Sequence, residues 1–116
     1  MKLEGKNVLV FGSGISGIGA ADLLKQVGAN PIIYDGNEEL DREEIRSRMK
    51  DGAGTKVILG ELSEGEMDRL DLVVLSPGVP TDLPVVKSLK ARNLTIWGEV
   101  ELAYQMGKGR VLAITG

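Results

Sequence analysis

Short apolar runs alternate along the chain with stretches whose apolar residues recur at helical spacing. Val8-Leu9-Val10-Phe11 is an unbroken apolar run that ends in glycine, the pattern of a strand buried on both faces. Ala20, Leu23, Leu24 and Val27 then fall at i, i+3, i+4 and i+7, with Asp22, Lys25 and Gln26 on the wet side, which predicts an amphipathic helix stopped by Gly28. A second strand is predicted at Ile32-Ile33-Tyr34, with Pro31 tolerable at its first position. Asp41 to Lys50 reads as a surface helix whose mixed charges mark a solvated face. A turn at Asp51-Gly52-Ala53-Gly54 leads to a third strand, Val57-Ile58-Leu59, and Ser63 to Leu70 is a brief helix weakened by Gly65. Leu72-Val73-Val74-Leu75 is the fourth strand, again apolar throughout. The loop Ser76-Pro77-Gly78-Val79-Pro80 leads to a helix that starts at Pro84, where a missing N–H costs nothing, and ends near Asn93. Leu94-Thr95-Ile96-Trp97 is the fifth strand, Glu99 to Met106 a helix, and Val111-Leu112-Ala113-Ile114 a sixth strand.

Strands alternating with helices at this spacing pair in parallel, and right-handed crossovers place the helices on both faces of the sheet. The expected fold is α/β: a Rossmann-like, doubly wound three-layer sandwich with a mainly parallel sheet. At 116 residues the chain suits one domain and buries roughly two-thirds of the surface it exposes when unfolded.

Composition narrows the chemistry. The net charge of −3 and the lack of a basic cluster leave no footprint for nucleic acid. There is no cysteine, so disulfides, thiolate nucleophiles and cysteine-built zinc sites are excluded, and no metal site is expected. There is no histidine, the commonest acid–base group near neutral pH, which tilts the expectation from catalysis toward binding. The apolar run at Val8 to Phe11 is too short for a secretory signal, and no segment approaches the roughly 20 apolar residues of a membrane span. A cytoplasmic location follows as the default expectation.

The candidate site begins with Gly12-Ser13-Gly14-Ile15-Ser16-Gly17, which follows an apolar strand and opens an amphipathic helix. In such a turn Gly12 permits the tight bend, Gly14 lets a phosphate approach the backbone, and Gly17 lets the helix pack closely on the strand. The free N–H groups and dipole of the helix start favour an anion, and the Ser16 hydroxyl adds a donor. A purely structural glycine turn is the bland alternative. Asp35 ends the second strand 18 positions beyond Gly17. There it can accept hydrogen bonds from ribose hydroxyls and would repel a 2′-phosphate, or it can simply form a turn with Gly36 and Asn37. Ser76-Pro77-Gly78 follows strand four at a carboxyl end, the edge where open α/β sheets bind ligands, and is a candidate wall of the same crevice.

Taken in order, Gly5-Lys6-Asn7-Val8 with the glycine turn, Tyr34-Asp35, Ser76-Pro77-Gly78-Val79, Gly98-Glu99-Val100-Glu101-Leu102 and the closing Ala113-Ile114-Thr115-Gly116 span nearly the whole chain. This pattern resembles the N-terminal domain of the Mur ligases of peptidoglycan synthesis, in the branch that adds D-glutamate. The resemblance implies that the domain holds the UDP portion of UDP-N-acetylmuramoyl-L-alanine rather than NAD. Ile15 and Ser16 would meet the diphosphate, flanked by Gly14 and Gly17. Asp35, Gly36 and Asn37 would lie near the uracil, and Gly78 would add backbone contacts beside Ser76 and Pro77. Asn37 stands where some members carry a basic side chain that packs on the base.

The resemblance also implies a parent enzyme that uses ATP and Mg²⁺ to form an amide bond through an acyl phosphate, in central and C-terminal domains absent from this sequence. Thr115 and Gly116 would be the start of the ATP phosphate loop, whose lysine and Mg²⁺-binding hydroxyl are absent. Residues 1–97 are accordingly read as the UDP-substrate-binding domain, and 98–116 as a linker helix and the first strand of a truncated central domain. The stretch alone is expected to bind no cofactor and catalyse nothing. Strand 111–114, deprived of neighbours, is expected to fold back or to associate with another chain. Two rivals remain from the residues themselves. One is an NAD-binding domain from a dehydrogenase or from a potassium-transport regulatory module, and the other is an interaction module with a vestigial turn.

Overall fold

A computed structural model describes residues 3–50, 52 and 54–106 of the chain. The elements follow in the order β1 (Asn7–Phe11), α1 (Ile15–Gln26), β2 (Asn30–Asp35), α2 (Arg42–Ser47), β3 (Lys56–Leu59), α3 (Glu64–Asp68), β4 (Leu72–Leu75), α4 (Pro84–Ala91), β5 (Thr95–Gly98) and α5 (Glu99–Met106). The five strands form one sheet in the order β3-β2-β1-β4-β5, and every pairing is parallel. The doubly wound α/β expectation is met. The expected sixth strand at 111–114, with Thr115 and Gly116, lies outside the described residues, as do Asp51 and Ala53 of the expected turn.

The strand pattern explains the order. Leu72 to Leu75 and Val8 to Phe11 are buried along their whole length, so β4 and β1 take the middle of the sheet. The edge strands are weaker: Lys56 of β3 and Thr95 of β5 are exposed. Alternate residues feed two cores. Val8, Val10, Ile33, Val57, Leu72 and Val74 meet α1, Ile45 of α2 and Leu102 of α5 on one face. Leu9, Phe11, Ile32, Tyr34, Val73 and Leu75 meet Met67 of α3 and Val86 and Leu89 of α4 on the other. Helix α5 thus lays Leu102 in the same core as α1, on the far side of the 97/98 division read from the sequence.

Three local expectations change. The inner face of α1 is Gly17, Ile18, Ala20, Ala21 and Leu24, while Val27 is 39% exposed. The helix ends at Gln26, and Gly28 at φ +85° turns the chain while Ala29 N–H donates to the Leu24 carbonyl at 3.0 Å, which leaves Val27 rotated outward. Helix α2 spans Arg42–Ser47 rather than Asp41 to Lys50. Asp41 is its cap, Ser47 Oγ donates to the Glu44 carbonyl, Met49 dives into the core, and Lys50 N–H is taken by Asp22 at 2.9 Å. Before β5, Asn93 adopts φ 61°, the left-handed turn that ends α4, so the strand begins at Thr95 and not at Leu94.

These placements set a pair of expected outcomes. Leu9→Ala removes a fully buried side chain beside the sheet's centre and should cost about 3 kcal/mol in urea unfolding. Val27→Ala should cost less than about 0.5 kcal/mol. Equal losses would mean that α1 presents the face read from its periodicity instead.

Candidate functional site

The glycine turn lies at the carboxyl end of β1, between β2 and β4, where the two halves of the sheet diverge. Both neighbours hold it. Gly12 N–H donates to the Tyr34 carbonyl of β2 at 2.7 Å, and Ser76 N–H, just past β4, donates to the Phe11 carbonyl at 3.1 Å. Gly12 sits at φ +122°, and a Cβ there would lie 2.6 Å from Ser76 Oγ. A Cβ on Gly17 would fall 1.9 Å from the Gly12 carbonyl oxygen. These two glycines are required by packing. Gly14 differs, since a Cβ there meets nothing within 4 Å, and the same holds for Gly78.

Helix α1 starts at Gly14 with no side-chain cap and no acid in its first turn. Helices α2 and α3 are capped from within: Asp41 accepts from Glu43 N–H at 2.8 Å, and Ser63 Oγ accepts from Glu66 N–H at 3.2 Å. The start of α1 therefore keeps its orphan donors and positive dipole end turned to the crevice. Ile15 is 92% exposed there and Ser16 is exposed. Opposite them, Val79 N–H donates to the Ser76 carbonyl at 3.0 Å, closing a β-turn whose inner residues are Pro77 and Gly78, both exposed. Ser76 Oγ is buried against Gly12 and has no protein hydrogen-bond partner among the described residues.

At the end of β2, Asp35 is half-buried. Its Oδ1 accepts from Asn37 N–H at 3.0 Å, so the turn read as its bland alternative does form. Its Oδ2 accepts from Ser13 Oγ at 2.8 Å and from Ser13 N–H at 3.3 Å, a link the sequence reading missed. The signal was present: β1 and β2 run in parallel with Phe11 opposite Tyr34, which brings the residues just beyond them together. Gly36 and Asn37 are exposed, and Asn37 Oδ1 accepts from Glu39 N–H at 3.0 Å. Tyr34 donates its hydroxyl to the Gly60 carbonyl, and its ring meets Phe11 edge-on at 4.8 Å between centroids. Burial, then the charges of Asp35 and Glu61, push the Tyr34 hydroxyl above its usual pKa.

The structure thus brings Gly14, Ile15, Ser16 and Gly17 together at one helix start, with Ser76, Pro77 and Gly78 across β4 and Asp35, Gly36 and Asn37 across β2. Thr115 and Gly116 lie outside the described residues. A cleft of about 210 Å³ between α1 and α5 is bordered by Ser16 and by Glu99, whose Oε2 is buried without a protein partner among the described residues. A larger hollow of about 360 Å³ lies at the opposite edge, where Asn7, Asn30 and Lys56 begin their strands. Among the described residues no cluster of three His, Cys, Asp or Glu could hold a metal ion, and no helix is long and apolar enough to cross a membrane.

A parallel sheet in this order, with a glycine turn and an uncapped helix start at the carboxyl end of its central strand, defines a Rossmann-like domain. Comparison with known proteins narrows the class. Residues 6–98 match the family model of the Mur ligase MurD-like N-terminal domain, and the chain belongs to that family. It is 49% identical over 116 residues to a UDP-N-acetylmuramoylalanine–D-glutamate ligase of Lachnospira eligens and 53% identical to that of Lachnoclostridium phytofermentans. In both cases all of the chain aligns with 26% of the relative, so it spans about a quarter of their length. Among solved structures it resembles a pseudomurein peptide ligase type C from Methanothermus fervidus, with TM-score 0.68 and 19% identity over 87% of this chain and 20% of that one. A shikimate dehydrogenase from Aquifex aeolicus shares the fold at TM-score 0.52 and 14% identity, over 91% of this chain and 47% of that one.

Two outcomes follow from this geometry. Gly17→Ala should destabilise the chain by about 3 kcal/mol, because its new methyl meets backbone, whereas Gly14→Ala should leave the melting temperature unchanged. Similar losses for both would contradict the division into packed and open glycines. Because the folded Tyr34 pKa is raised, its stabilising contribution is whole below the unfolded value of about 10 and is lost as pH rises through the folded value. The urea midpoint should therefore fall more steeply above about pH 10 in the parent chain than in Tyr34→Phe.

Proposed function

We propose that this chain is the substrate-nucleotide-binding domain of an ATP-dependent UDP-N-acetylmuramoyl-L-alanine:D-glutamate ligase, and that its crevice takes the UDP portion of that substrate. The observation that carries the reading is the uncapped start of α1 at Gly14, where a Cβ would meet no atom within 4 Å, so that the backbone lies open to a phosphate. Backbone N–H groups from Ile15 to Gly17 would meet the diphosphate, with the Ser16 hydroxyl as a further donor. Gly78, equally open, would bring backbone from the β4 side. The nucleoside would lie along the β2 loop by Asp35, Gly36 and Asn37. Since Glu39 N–H holds Asn37 Oδ1, the carboxamide's NH₂ is the end left to face a base.

This domain contributes binding and orientation. In the complete enzyme the substrate carboxylate would take the γ-phosphoryl group of ATP, releasing ADP. The amine of D-glutamate would then attack the acyl carbon, forming the amide and expelling phosphate. Mg²⁺ and ATP would be held by the parts of such an enzyme outside this stretch, which spans about a quarter of the relatives' length. A cytoplasmic setting, where the nucleotide substrates reside, accords with this role.

Amide shifts of the chain titrated with UDP-N-acetylmuramoyl-L-alanine, UDP and NAD⁺ test the reading. The two uridine ligands should move Gly14 to Gly17, Asn37 and Gly78. A response to NAD⁺ alone would replace the ligase reading with a dinucleotide one, and silence toward all three would leave the turn vestigial.

A further inference from the structure

Asp35 stands where a dinucleotide fold places its ribose-binding acid, yet its carboxylate is already engaged within the protein. Oδ2 takes two donors from one residue, Ser13 Oγ at 2.8 Å and Ser13 N–H at 3.3 Å. Oδ1 takes the Asn37 N–H at 3.0 Å. Ser13 lies between the packed Gly12 and the open Gly14 and is only 9% exposed, so this link runs through the interior of the glycine turn. Hydrogen bonds to an ionised acceptor are about twice as strong as neutral ones, and here one carboxylate joins three donors from two loops. The arrangement also sorts the turn's amides. Ser13 N–H is drawn inward to Asp35, while the uncapped donors at the start of α1 face outward.

We propose that Asp35 is a positioning residue of the phosphate turn, acting through Ser13 to fix which backbone amides face the ligand. This rests on the nucleotide-binding reading above and deepens it: the acid at the end of β2 serves the diphosphate as well as the nucleoside side. A ribose ligand and a strut differ in one respect that can be measured. Inorganic pyrophosphate has neither ribose nor base, and neutralising Asp35 would by charge alone favour an anion, so weaker pyrophosphate binding without Asp35 requires a strut.

The test compares the parent chain with Asp35→Asn, Ser13→Ala and the double variant, titrated with UDP and with inorganic pyrophosphate. Each single variant should weaken both ligands by about tenfold, the loss of a charge-assisted hydrogen bond. The double variant should be no weaker than Asp35→Asn by more than about twofold, because Ser13→Ala removes only the Oγ bond, which Asp35→Asn already disrupts together with the Ser13 N–H bond. Loss of UDP affinity with pyrophosphate untouched in Asp35→Asn would overturn the proposal and leave the nucleotide reading standing. Additive losses would also overturn it.

A ligand-free arm keeps the two readings apart. In Asp35→Asn the Ser13 amide should lose protection from hydrogen exchange, and the Gly14 to Gly17 amides should shift. Unchanged spectra there would remove the strut whatever the ligands do. If the parent chain binds neither UDP nor pyrophosphate, the nucleotide reading falls, and the proposed effect on ligand falls with it.

Discussion

The contact on which the architecture turns is the approach of Gly17 to the carbonyl of Gly12, so close that a single methyl on Gly17 would lie 1.9 Å from that oxygen. It lets α1 start directly behind β1 and lie across the first core, where the small Ala20 and Ala21 are buried between Ile18 and Leu24 and Leu23 packs at the margin. The same turn is pinned by β2 through Gly12 N–H and by β4 through the Phe11 carbonyl. The crevice is therefore a by-product of tight packing. A helix start brought this near the middle of a parallel sheet has nowhere to turn its free donors except outward.

Electrostatics follow from that packing. Helices α2 and α3 close their own starts with Asp41 and Ser63, and α4 begins on Pro84, which has no N–H to satisfy. Helix α1 has none of these devices, although it is the longest of the five. Helix α4 likewise lacks a side-chain cap, at Leu83, but the open start of α1 is the one set beside the sheet's central strand, at the candidate site. Surface ion pairs such as Arg48 with Glu44 contribute little by comparison, since both partners are well exposed.

Much of this was legible in the chain itself. Unbroken apolar runs such as Val8 to Phe11 and Leu72 to Leu75 can be buried only on both faces, and that requirement places them at the sheet's centre. The packing roles of Gly12 and Gly17 could be read from spacing, because each is a backbone requirement. What escaped depends on neighbours distant in sequence. Met49 lies past the end of α2 and packs in the first core, while Val27 is a local exception that keeps the helical period but lies past the helix end at Gln26, just before Gly28 turns the chain. The Ser13–Asp35 link joins residues 22 positions apart. Its place in the chain marks Asp35 as a ligand or as a turn former, and a carboxylate with two oxygens can serve more than one neighbour.

Gly14 and Gly78 carry a consequence of another kind. Each faces open space, and neither adopts a positive φ, so a side chain could be added at either without disturbing the packed glycines behind it. Selection on what the crevice accepts and selection on whether the domain folds therefore act on different positions. Such a separation lets the crevice of one scaffold change by small steps, each tolerated by the fold before it is useful.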